Sequence, residues 1–337
     1  MTGLSAGSGS TTSSNRILQP YVGLGYEADS GNALTLSDLT YRHLVTDKLA
    51  LIAGTAGISP TNVFRGSNRV QSAGYGPLSR FAQRNPIINI GGSGSGFGLD
   101  WQIAKRLSLQ AVYSTNLANN ADFGGLFGGD LGSTTLGAQI VASPSNNIDL
   151  SFQYINAYSP WGTLSGNPRP TGIGDDQVVI QDLNNGGRAP ISTNAFGLAF
   201  DWRPMQKLNF GAWAGYTNSD YQIQDGSVET FNWMTYLTFP DLGKPGNLGG
   251  IFFGQPPKIT SSNLPNGLNI PAFATNGDRT AGPGGQPDTT LHLEAFYRFN
   301  LTDNIALTPG FIAVFNPLHN ANNETITIGV LRTTISF

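Results

Sequence analysis

Alternate positions along residues 288–337 sort by polarity. Thr289, Leu291, Leu293, Ala295, Tyr297 and Phe299 fall on one side, and Thr290, His292, Glu294, Phe296 and Arg298 fall between them. Side chains alternate across a strand, so this spacing gives one apolar face and one face carrying charge. Ile305, Leu307, Phe311, Ala313 and Phe315 repeat the pattern. Leu331, Thr333, Ile335 and Phe337 repeat it again, with Arg332, Thr334 and Ser336 opposite, and the chain ends on the phenylalanine. Strands of about ten residues, apolar outside and polar inside, with short turns between them, are the pattern of a transmembrane β-barrel. A soluble sandwich also alternates, so the argument rests on repetition along the whole chain.

The repetition is extensive. Strands are predicted at 17–27, 33–45, 49–58, 96–104, 107–116, 134–142, 148–158, 194–203, 208–217, 227–239 and 248–254. With three more at the C-terminus this gives an all-β, antiparallel transmembrane barrel of about fourteen strands. Short turns follow 45, 104, 142, 203, 239 and 300. The long connections are 59–95, 117–133, 159–193, 218–226, 255–287 and 316–323. Sorting short turns to one end and long loops to the other is how such barrels sit between periplasm and exterior. GFGLDWQIAKRLSLQAVYS (96–114) and AFGLAFDWRPMQKLNFGAWAGY (195–216) form an internal repeat, each with a D-W pair before a basic turn. In each copy the aspartate, Asp100 or Asp201, faces away from the aromatic side.

Composition narrows the alternatives. Charged residues make up 12% of the chain, about half the usual globular share of roughly 25%. A net charge of -3 offers no electrostatic footprint for nucleic acid. No apolar run is long enough for a transmembrane helix. Residues 1–16 are small and polar, without the charged and apolar regions of a signal peptide. They are expected to be a flexible segment ahead of a barrel domain at 17–337. The chain itself is expected to be a fragment, a mature form or a product begun at an internal methionine.

GPLSRFAQRNPI (76–87), FPDLGKPGNLGGIFFGQPPKITSSN (239–263) and the whole of 288–337 resemble the cyanobacterial outer-membrane porins. These belong to the carbohydrate-selective porin superfamily and are often described as iron-uptake porins. The resemblance implies a sixteen-stranded barrel preceded by a signal peptide, an S-layer-homology domain and a coiled coil. On that resemblance this chain is expected to lack the first strands and, taken alone, not to close into the native barrel. The resemblance also implies contact with outer-membrane lipids and with the barrel assembly machinery, which would read Phe337, and it allows a homotrimer. The function it implies is a passive diffusion channel for small hydrophilic solutes, inorganic ions including iron species. A soluble all-β binding or adhesion domain and a carbohydrate-selective channel are the alternatives.

Nothing in the sequence asks for a catalytic centre, a cofactor or a metal. His43, His292 and His319 stand apart, without the spacing of a metal site. GSGSGFG (92–98) lacks the G-K-[ST] ending of a phosphate loop. The chemistry expected is that of a lumen, lined by Asp100, Asp201, His292, Glu294 and Arg298. Segment 59–95 carries Arg65, Arg69, Arg80 and Arg84 and no acidic residue. Folded inward, it would place four guanidinium groups at a constriction, and rings of arginine favour anions. Pairing of these arginines with carboxylates elsewhere is the competing expectation.

Overall fold

The computed structural model describes residues 2–7, 23–25, 30–66, 69–166, 179–180, 182, 185–265, 267–269 and 284–336. The strands are β1 (Thr2–Ser5), β2 (Thr35–Thr46), β3 (Leu49–Ile58), β4 (Gly94–Ala104) and β5 (Leu107–Thr115). They continue with β6 (Thr134–Ser145), β7 (Ile148–Ser159), β8 (Ile191–Met205), β9 (Leu208–Tyr221) and β10 (Ser227–Pro240). The last four are β11 (Leu248–Ser262), β12 (Leu291–Asn300), β13 (Ile305–Phe315) and β14 (Ile326–Ile335). All fourteen lie in one sheet in chain order, each antiparallel to the next. The tight turns at Asp47-Lys48, Lys105-Arg106, Asn146-Asn147 and Gln206-Lys207 share one end, and the long connections share the other.

Alternation decides what each face meets. Along β9 the inner positions Asn209, Trp213, Thr217, Ser219 and Tyr221 are buried. The outer positions of the sheet carry large apolar groups on the surface, with Leu198 60% and Phe97 56% exposed. Such a belt suits hydrocarbon and is the outward face of a membrane barrel.

The inner face is covered by the chain itself. Segment 59–93 folds inward and makes short helical turns at Pro60–Val63, Arg80–Gln83 and Pro86–Asn89. Ser79 and Asn85 supply side-chain acceptors to Ala82 and Ile87 N–H at the starts of the last two. Phe64, Ile87 and Ile90 from this segment pack with Val112 and Ile155 of the wall. Leu78, Phe81 and Ala82 pack with Trp213, Tyr236, Phe252 and Phe296. The inner aromatic row of β9–β12 is thus a core beneath the loop, held by about the free energy of ordinary side-chain burial.

Three elements differ from expectation. Thr2–Ser5, expected within a flexible segment, forms β1 on the edge of β2. Of the strand expected at 17–27, residues 17–22 and 26–27 lie outside the described residues, and 23–25 join the inward segment instead of the wall. Leu24 bridges Ser79, Gly25 N–H donates to Leu78 O, and Arg80 N–H donates to Gly23 O. Third, β11 runs on to Ser262 through Pro256 and Pro257. Beyond Gly254 it pairs only with β10, so its other edge asks for no ladder donor and tolerates proline. Among the described residues no ladder joins β14 to β1 or β2.

Candidate functional site

The lumen wall is organised in rows of residues directly opposite one another. Asp100 faces Gln110, Gln110 faces Gln139, and Gln139 faces Gln153 across β4–β7. Their side chains join into one chain of hydrogen bonds. Gln153 Nε2 donates to Gln139 Oε1 at 2.8 Å, Gln139 Nε2 to Gln110 Oε1 at 2.9 Å, and Gln110 Nε2 to Asp100 Oδ1 at 3.3 Å. Gln110 and Gln139 keep donor and acceptor occupied, as a buried polar row requires, whereas Gln153 Oε1 at the far end is buried without a partner.

At the Asp100 end the row meets two arginines. Arg65 Nε of the inward segment and Arg42 Nη2 of β2 both donate to Asp100 Oδ2, at 2.8 and 2.9 Å. Gln139 Nε2 also donates to Arg65 O at 2.9 Å, so the backbone carrying that guanidinium is held as well. One carboxylate between two guanidinium groups leaves a positive excess at that contact, with Asp38 on one adjoining cavity and Asp47 beside Lys48 on the other. Both arginine side chains are exposed, at 43% and 62%. A cavity of about 720 Å³ lies on one side, between Asp38, Thr40 and Arg42 of β2 and Phe64, Arg65 and Gln71. A second of about 330 Å³ lies beside Arg42, Lys48, Arg65, Asp100 and Gln102. Arg42 and Arg65 border both.

The other three arginines of the segment lie elsewhere. Arg69 is pinned to the wall, with Nη2 on Asp149 Oδ2 at 2.5 Å and Nε on Asp201 Oδ1 at 2.9 Å. Asp201 is fully buried and also accepts from Asn209 Nδ2 and Tyr236 Oη. Tyr236 reaches it across Gly211, where a methyl group would overlap the phenol ring. Arg80 Nε donates to Leu24 O at 3.1 Å, on the side that the 23–25 segment covers, and Arg84 is half-buried at the end of the second helical turn. The four arginines are therefore spread along the segment, and the competing expectation of carboxylate partners holds for Arg65 and Arg69.

Glu294 and His292, on the inner face of β12, are fully buried. Glu294 accepts from Leu78 N–H, from Ser79 N–H at 3.1 Å and from Ser79 Oγ at 2.5 Å. His292 Nε2 lies 3.3 Å from Ser79 Oγ, and its ring stands edge-on to Phe81. Arg298 stacks its guanidinium over Tyr75 at 4.7 Å. Phe337 lies outside the described residues. Sequence reasoning missed Arg42, Gln110, Gln139 and Asp149. Their strands and parity were legible, but Gln139 and Asp149 meet Arg65 and Arg69 of a segment whose path through the lumen no local pattern encodes, and Arg42 and Gln110 meet Asp100 across the sheet, which depends on register.

A family model described as carbohydrate-selective porin, OprB family, matches residues 41–337. An uncharacterized protein of Synechocystis sp. is 32% identical over 335 residues, covering 93% of this chain and 56% of its own length. Another, of Nostoc sp., is 31% identical over 273 residues, covering 78% of this chain and 43% of its own. The chain thus spans about half the length of the curated relatives it matches. Among solved structures, the high-pH structure of Pseudomonas putida OprB superposes with a TM-score of 0.55 at 12% identity. That match covers 91% of this chain and 74% of the other, a likeness of fold.

Proposed function

The chain belongs to the carbohydrate-selective porin, OprB family, a family of outer-membrane channels and not of enzymes, and on that premise we propose what its lumen passes. The protein that contains it is a passive diffusion channel for small hydrophilic solutes, inorganic ions and anionic iron chelates among them. Its constriction is the gap bordered by Arg42, Asp100 and Arg65. The observation that carries this reading is the sharing of one Asp100 oxygen by both guanidinium groups between two cavities. Arginine stays charged at any relevant pH, so both guanidinium charges at the gap are permanent. Charges within about one Debye length, roughly 8 Å at physiological salt, bias every ion that passes. The Arg69 and Arg80 side chains, bound to the wall carboxylates and to Leu24 O, shape the gap more than its field.

Reversal potential in a salt gradient across a planar bilayer tests this with the full-length protein. Anion preference is expected, and it should weaken in Arg65→Gln. Cation preference in the parent would refute it. The family's description favours sugars as an alternative permeant. Liposome swelling with a mono- and a disaccharide separates the two. Sugar flux with no ion preference would move the reading to carbohydrate.

A further inference from the structure

The row of opposed residues does not stop at Gln153. It continues through Gly197 on β8 and Gly215 on β9 to Asn232 on β10, each the register partner of the one before. Every other position from Asp100 onward carries a polar side chain, and the two that do not are neighbours. Neither glycine has a positive φ, so backbone conformation does not demand glycine at these sites. Glycine inside a strand costs roughly 0.5–1 kcal/mol against alanine, and it commonly marks a close approach of another backbone.

That approach is made by the inward segment. A methyl group on Gly215 would stand 2.5 Å from Ile87 Cγ1 and 2.5 Å from Asn232 Oδ1. One on Gly197 would stand 2.5 Å from Gln153 Oε1 and 3.0 Å from Asn85 Nδ2. The corner at Asn85–Ile87 is seated with direction as well as contact. Asn85 Nδ2 donates to Ala214 O at 2.9 Å, and Asn232 Nδ2 donates to Asn85 Oδ1 at 3.2 Å. Ile87 is 1% exposed within the buried cluster that also holds Phe64, Ile88 and Ile155, and a close-packed interior resists its displacement.

We propose that Gly197 and Gly215 form a notch that fixes how far the inward segment stands off the wall, and so sets the width of the permeation gap. The segment has its back to β8–β9 at Asn85–Ile87 and its front, Phe64 and Arg65, to the gap beside β2–β4. Filling the notch moves the corner away from the wall that holds it, and the packed core transmits that shift to Phe64. The two glycines are positioning residues, and they touch no solute. The proposal rests on the channel reading above.

Single-channel conductance of the full-length protein in planar bilayers tests it, with heat-modifiable migration on gels as the check that the barrel has formed. Gly215→Val and Gly197→Ala are expected to lower conductance by about twofold or more, as a narrowed constriction should. Gly329→Ala, on β14 where a methyl group meets nothing within 4 Å, should leave it unchanged. Adding Ile87→Ala to Gly215→Ala vacates the notch from the other side and should restore the parental value, which a merely destabilised wall would not do. Should Gly215→Val not fold, Ile87→Phe presses on the same notch from the segment side and must lower conductance too. Unchanged conductance in folded notch variants overturns the proposal. A rise also overturns it, because the notch would then be an anchor whose loss frees the segment. A parent without channels overturns the channel reading, and the proposal with it.

Discussion

Glu294 and Arg332 sit two strands apart on the inner wall and hold opposite polarities of the same stretch of backbone. Glu294 takes the N–H groups of Leu78 and Ser79, while Arg332 donates to the carbonyls of Ala73, Gly76 and Pro77. A carboxylate accepts only and a guanidinium donates only, so together they satisfy both sides of a segment crossing the lumen. Hydrogen bonds to charged groups contribute about 1.5–3 kcal/mol each, more than neutral ones.

Glu294→Gln keeps the shape but turns one acceptor into a donor facing other donors. It is expected to loosen the segment by on the order of 2 kcal/mol. The readout is faster protease cleavage within 59–93 and noisier single-channel current, with the barrel intact on gels. Arg332→Met should do the same from the other side. Parental protease resistance in both variants would show that the apolar packing of Leu78 and Phe81 holds the segment unaided.

Arg65 and Arg69 are expected to separate field from framework. Asp100→Asn removes the shared carboxylate, leaves Arg42 and Arg65 uncompensated, and should strengthen anion preference in a salt gradient. Arg69→Gln leaves buried Asp201 without its cation, and breaking one side of a buried pair costs about 3–5 kcal/mol. It should therefore lower the denaturant midpoint with little change in reversal potential. The reverse assignment of effects, selectivity lost in Arg69→Gln and stability lost in Asp100→Asn, would refute the constriction as placed.

The wall was legible in sequence because its period is two and every strand repeats it. Even the register of the D-W repeat holds, with Asp100 and Asp201 at corresponding inward positions of β4 and β8. The lumen's interior was not legible. Arg69 and Asp201 are separated by 132 positions and Arg332 and Gly76 by 256, and no periodicity links a loop residue to the wall it meets. Of the strand expected at 17–27, the described residues 23–25 depart from the wall for a related reason. Residues 23–25 alternate like a wall strand, but their partner is Ser79 of the loop, and an isolated bridge leaves the same local pattern as an edge strand.

The two faces should respond oppositely to charge. Leu198, 60% exposed on the outer face, is expected to lose about 2–4 kcal/mol on replacement by Arg if it lies near the midplane. The inner face is not uniformly tolerant, however. Gln153 is 3% exposed and lies under Asn85 in the closed row of amides, so Gln153→Arg should also be costly, while Arg at Thr40, bordering the open cavity, should cost little. Refolding titrations in detergent distinguish the three. Equal tolerance at Leu198 and Thr40 would contradict the assignment of outer face to lipid.

The last prediction concerns His319, in the connection between β13 and β14. Burial pushes its pKa down from 6.5 to about 3. The hydrogen bond to Pro257 O opposes that shift and the charge of Lys258 adds to it. The ring is held as one tautomer, with Nδ1 accepting from Thr290 N–H at 2.9 Å and Nε2–H donating to Pro257 O at 3.0 Å. A proton added at Nδ1 would meet that N–H head-on, so the folded state binds it only in strong acid. The unfolded chain binds it from its ordinary value of 6.5 downward. The stabilising contribution is therefore complete above pH 6.5 and is lost as pH falls toward 3. Within that window the loss is on the order of 1 kcal/mol for each pH unit, the slope of one proton taken up on unfolding. Thr290 immediately precedes β12 and Pro257 lies within β11, so the connection that His319 ties to them should loosen first. Denaturant midpoints in detergent near neutrality and at about pH 5 check this, for the parent and for His319→Gln. The variant should begin less stable and fall less between the two conditions, because carboxylates elsewhere titrate alike in both proteins. An equal fall in parent and variant would mean that the proton on His319 has no part in the acid response.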